Sequence, residues 1–81
     1  MITLDWHQVS DLRLHANHER WLFVIDRMPN WTKAAPAMVY DFYASGYEGG
    51  TRHALGTFTD SKAARAKCAE FINTQAGDSR G

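Results

Sequence analysis

Thr57-Phe58-Thr59-Asp60-Ser61-Lys62-Ala63-Ala64-Arg65-Ala66-Lys67-Cys68-Ala69-Glu70-Phe71-Ile72 is the stretch on which the fold turns. It leaves a strand-like run, passes a capping pair and becomes an Ala-rich helix. Thr59 or Asp60 supplies an oxygen for the unpaired amides of a first helical turn. Alanine loses little entropy in a helix, so the run after Ser61 favours that state. Ala64, Cys68, Phe71 and Ile72 recur at helical spacing and form one apolar stripe. Lys62, Arg65, Ala66 and Asn73 fall on the opposite side. The helix is expected to fade over residues 75–77, leaving 77–81 as a frayed tail.

Upstream, the period changes from 3.6 to 2. Residues 21–26 are β-branched and aromatic. Residues 37–44 read Ala-Met-Val-Tyr-Asp-Phe-Tyr-Ala. Met38, Tyr40 and Phe42 then share one strand face, and Val39, Asp41 and Tyr43 the other. Residues 52–58 form a third run. Ser45-Gly46-Tyr47-Glu48-Gly49-Gly50 suits a hairpin connection between the last two. Pro29 and Pro36 bound a longer loop over residues 28–36. Consecutive strands usually pair. The expected fold is therefore α+β: an antiparallel meander of three or four strands with one C-terminal helix across one face. Residues 1–20 read either as a strand with a turn or as a helix aligning Leu4, Val9 and Leu12. The alternation at Leu12-Arg13-Leu14 favours extended structure.

Size and charge exclude much. At 81 residues the chain makes one domain, taken here as residues 1–76. It is too small for a Rossmann or TIM scaffold. Nine basic residues balance nine acidic ones, which disfavours both a strongly basic nucleic-acid binder and an acidic DNA mimic. Bases do cluster locally: Arg52, Lys62, Arg65 and Lys67 face Asp60 alone within residues 51–67. Cys68 is the single cysteine, so neither an internal disulfide nor a cysteine-based zinc site can form. An unstapled small chain points to the cytoplasm. The N-terminus lacks the features of a signal peptide, and the longest apolar run, residues 21–25, is far short of a membrane span.

No constellation of catalytic residues emerges, and the chain is expected not to be an enzyme. His15 and His18 lie three apart beside Glu19, a spacing that could hold a metal on a helix, but this polar stretch reads as a turn with solvated histidines. No metal or cofactor is expected. Cys68, on the apolar helix stripe, reads as core rather than nucleophile. Ser10, Ser45 and Ser61 lie in no nucleophile motif. Asp26 and Asp41 could face each other on paired strands without implying acid–base work. Residues 46–50 lack the strand–loop–helix context of a phosphate loop.

Ten aromatic residues are more than one short Ala-rich helix can cover. The second sheet face must meet the N-terminal segment, a second copy of the chain in a homodimer, or a partner. Either Trp6 and its neighbours close it, or it stays open as an aromatic patch for binding. Trp31, Tyr43 and Tyr47 are the candidate contacts, because they sit on or beside loops and carry both apolar rings and polar tips.

Residues 55–69, Leu-Gly-Thr-Phe-Thr-Asp-Ser-Lys-Ala-Ala-Arg-Ala-Lys-Cys-Ala, resemble the ending of many small phage and prophage accessory proteins. Those run strand, Gly-x-Phe/Tyr, cap and Ala-spaced helix. The group includes anti-CRISPR and other inhibitors of host defence, so the resemblance implies non-enzymatic binding that blocks a host or phage protein. Ser61-Lys62-Ala63-Ala64-Arg65 also resembles the start of the last helix of the double-stranded RNA-binding domain. That resemblance implies phosphate contacts from Lys62 and Arg65, with Arg52 nearby. Here Ser61 replaces the family's first lysine, no first helix is evident, and the charge is balanced. Protein binding is the leading expectation and nucleic-acid binding the alternative.

Overall fold

A computed structural model describes residues 2–29 and 40–78. Five strands are followed by one helix: β1 (Trp6–Ser10), β2 (Arg13–His18), β3 (Trp21–Pro29), β4 (Tyr40–Glu48), β5 (Thr51–Phe58) and α1 (Ser61–Asp78). The strands form a single antiparallel sheet in sequence order, β1-β2-β3-β4-β5. The α+β class and the meander match the expectation, whereas the strand count exceeds the three or four expected. The extra strand comes from the N-terminus, which is extended and contributes both β1 and β2. Four of the five β1 residues are exposed, so no buried-face alternation marks the strand in sequence.

The β4–β5 connection is tighter than the six residues expected. β4 continues through Glu48, and only Gly49 and Gly50 turn, with φ of 57° and 86°. Two left-handed residues in succession match the right-handed twist of the hairpin, and glycine adopts them without a Cβ penalty. Met28 and Pro29, assigned from sequence to a loop, are the last residues of β3.

Strand alternation sends Trp21, Phe23 and Ile25 of β3 to one face, where all three are buried. Leu14 and Ala16 of β2 and Ala44 of β4 join them through the strand register. From α1, Ala64, Cys68 and Ile72 descend onto this layer and Phe71 packs at its side, so the helical stripe is as expected. The Phe71 ring meets Trp21 edge-on at 5.1 Å between centroids. Trp21 and Phe23 stack at 5.7 Å. Gly46 lies opposite Phe23, and a Cβ there would come within 3.0 Å of its ring. The missing side chain is what gives the phenyl group its space. Complete burial of a side chain such as Phe23 or Ile25 contributes about 1.5–3 kcal/mol.

Asp60 is the helix cap: its Oδ1 accepts from Ala63 N–H at 2.7 Å. The helix extends to Asp78, beyond the fading expected at residues 75–77. Asn73 is not on the solvent side. Its Oδ1 accepts from Ile2 N–H at 2.8 Å, and its Nδ2 donates to Ile2 O and Ala69 O. This clasp explains the path of the N-terminal segment. Leu4 is buried in the core under α1, and Ile2 and Trp6 pack against that core. Trp6 therefore lies on the helix side and does not close the opposite face.

Candidate functional site

The second face of the sheet carries the intervening residues. β4 presents Tyr43, Ser45 and Tyr47 there. Their neighbours follow from register. Tyr43 lies between Asp26 and Thr57, Ser45 between Val24 and Ala54, and Tyr47 between Leu22 and Arg52. Tyr43 is 41% exposed and Tyr47 half-buried. Met28, on the same face, is 46% exposed. Arg13, Asp26, Met28, Pro29, Tyr43 and Arg52 enclose one broad depression. A neighbouring depression continues over Val9, Leu12 and His15.

One ion pair organises this surface. Arg13 and Asp26 are cross-strand partners, and Arg13 Nε donates to Asp26 Oδ1 at 2.6 Å. That hydrogen bond and the carboxylate's charge raise the guanidinium pKa above its ordinary value. Asp26 is consequently paired with Arg13, and the strand register sets it opposite Tyr43 rather than opposite Asp41. The facing carboxylates anticipated from sequence do not form.

Tyr43 and Tyr47 thus come together, and Arg52 joins them on the same side. Lys62 and Arg65 do not: both are exposed on α1, across the sheet, and Arg65 Nε donates to Ser61 O at 3.4 Å. The division follows from β5. His53 points to the helix, with its ring 6.0 Å from Phe71 and 5.2 Å from Trp21. Arg52 therefore points away. Trp31 lies outside the described residues. Arg13, Asp26 and Met28 were missed as members of the surface. Their alternation with apolar neighbours was visible in sequence, but their meeting depends on a register between strands.

The histidine pair is also rearranged. His15 and His18 both belong to β2 rather than to a turn, and a three-residue offset on a strand puts them on opposite faces. They cannot share a metal ion. Among the described residues no group of three or more His, Cys, Asp or Glu side chains could hold one. Cys68 is fully buried, and desolvation pushes its thiol pKa up to about 12. A thiol held protonated in an apolar layer is a packing residue. No described helix is long and apolar enough to cross a membrane.

No family model matches this chain, and neither a curated protein nor a solved structure matches it.

Proposed function

We propose that the chain is a non-enzymatic protein-binding domain that uses the helix-free face of its sheet. The observation that carries this reading is the placement of Tyr43 and Tyr47 on one strand face, with Tyr43 open beside Met28 and Arg52. Tyrosine and arginine are the residue types that concentrate binding energy at protein interfaces. Phenol rings have few rotatable bonds and so lose little entropy on contact, and their hydroxyls can hydrogen-bond a partner. The resemblance of residues 55–69 to small phage accessory proteins extends the proposal: the partner is a host-defence or phage protein whose surface the domain blocks, in the manner of an anti-CRISPR inhibitor. The nucleic-acid alternative draws less support, because its three bases, Arg52, Lys62 and Arg65, are divided between two sides of the sheet.

The test compares two double variants, each checked for folding by circular dichroism. A partner is first captured from host lysate and identified by mass spectrometry, and its affinity is then measured. Tyr43→Ala/Tyr47→Ala is expected to lose more than about 2 kcal/mol, the loss of a hot spot. Lys62→Glu/Arg65→Glu is expected to bind almost as wild type. Loss of binding in the charge reversal with near-wild-type binding in the tyrosine pair would assign the site to the helix.

A further inference from the structure

Three of the residues that border the broad depression on the helix-free face are charged: Arg13, Asp26 and Arg52. Two of these charges largely neutralise each other, because Arg13 Nε donates to Asp26 Oδ1 at 2.6 Å. Arg52 differs. Its side chain is exposed, and among the described residues its guanidinium enters no ion pair. The carboxylates nearest in sequence to the two tyrosines do not compensate it. Asp41, two positions before Tyr43, is buried and does not border the depression. Glu48, next to Tyr47, alternates to the other side of β4 and pairs with Arg20 at 3.4 Å.

The apolar members of the same rim are accessible too. Tyr43 and Met28 are both exposed large side chains. A docking chain therefore meets one uncompensated positive charge beside an open ring and a thioether. Arginine offers a planar fork of donors that matches a carboxylate, and such charge-assisted bonds are about twice as strong as neutral ones. A lysine or arginine brought to the same place would meet a like charge, which disfavours basic partners.

Given the protein-binding reading, on which this rests, we propose that the segment docking on this face is acidic. It carries a Glu or Asp side chain for Arg52 next to an apolar side chain for Tyr43 and Met28. Charge complementarity selects this occupant: the one charge left open on the depression is positive. A nucleic acid also brings anions, but its affinity comes from several phosphate contacts along one surface. This face offers one free cation at the depression, and Lys62 and Arg65 lie on α1 across the sheet. The chain as a whole carries no net charge, so attraction of an acidic segment is local to Arg52 rather than a property of the whole molecule.

The probe is a terminally blocked short peptide alternating glutamate with leucine, followed by NMR of the full chain labelled with ¹⁵N. Saturable shifts are expected at the Tyr43 and Arg52 amides and at Arg52 Nε–H. The glutamine counterpart is expected to bind at the same residues at least about threefold more weakly, and the lysine counterpart more weakly still. High salt is expected to narrow the preference for glutamate, because the pair is solvent-exposed. Arg52→Gln is expected to remove that preference and keep the weak contact at Tyr43. Absence of a saturable shift at Tyr43 and Arg52, or shifts confined to α1 around Lys62 and Arg65, would overturn the proposal. So would a glutamate preference that persists in Arg52→Gln, or a short oligothymidylate that binds at Arg52 more tightly than the glutamate peptide. Equal binding of all three peptides at Tyr43 would overturn the acidic assignment and leave the protein-binding reading standing. That reading fails separately, through the tyrosine double variant. Should Arg52→Gln not fold, the contrast between glutamate and glutamine peptides on the wild-type chain decides the matter.

Discussion

The two faces of the sheet are built from the same strands and solve opposite problems. On β3, Trp21, Phe23 and Ile25 turn to the helix and are buried, while Asp26 and Met28 on the other face remain in contact with water. On β4, the helix-side positions shrink to Ala44 and Gly46, so that α1 and the Phe23 ring can approach. The opposite positions carry Tyr43, Ser45 and Tyr47. One face is dominated by close-packed apolar side chains. The other keeps hydroxyl, carboxylate and guanidinium groups beside its rings. A face of the first kind can only be covered permanently, whereas the second can meet water and protein in turn.

The largest expected effect that sharpens this contrast is on the packed side. Phe23→Ala should destabilise the domain by about 3–5 kcal/mol through lost burial and the cavity left behind. Urea denaturation measures it, and a cost near that of a surface substitution would show that the helix layer is not the core. Next is the helix register. Ala64→Leu should cost about 1–3 kcal/mol by overpacking a fully buried contact, and Ala66→Leu on the exposed side should cost little. Similar costs at both positions, read from the same denaturation curves, would contradict the assigned face.

A third expectation concerns pH. The Cys68 thiol pKa stands near 12 in the folded state, above its ordinary value of 9.0. The unfolded chain then releases its proton first as pH rises, so the thiol's contribution is fully present below about 9 and is lost between there and 12. Relative to Cys68→Ala, wild-type stability should fall in that window by at most about 1.4 kcal/mol per pH unit. The same burial should keep a thiol reagent from labelling native protein while it labels the unfolded chain. Rapid native labelling would place Cys68 outside the core. The smallest effect is on the open face. Tyr43→Ala should change stability by no more than about 0.5 kcal/mol, the usual range for an exposed site. A loss of several kcal/mol in thermal unfolding would make Tyr43 a structural residue and weaken its candidacy as a contact.

Local and distant information divide clearly along the chain. The helix was legible because its cap and stripe lie within residues 60–72, where each residue constrains the next few by hydrogen bonding and spacing. Asn73 shows the limit of that reading. Its place on the helical wheel suggested solvent, but its partners are the backbone groups of Ile2, 71 positions away. β1 was ambiguous for a related reason: an exposed edge strand needs no apolar alternation, and its pairing with β2 gives it its state. Of the candidate contacts, Tyr43 and Tyr47 share parity on one run, so their common face could be read directly. Arg52 was grouped with Lys62 and Arg65 by proximity in sequence, although the sheet lies between them.

What the sequence by itself determined is the set of amphipathic units: a capped helix with one apolar stripe, strands of period two, and a Gly-rich hairpin connection between the last two strands. These depend on dihedral preference and on spacing within a few residues. Only the tertiary structure decided which sheet face α1 and the N-terminal segment would share. It thereby left Tyr43 open. The physical reason is that a face becomes core or surface by what packs on it. That choice sums burial and hydrogen bonding between segments far apart in the chain, as the Ile2–Asn73 clasp and the Arg13–Asp26 pair do here.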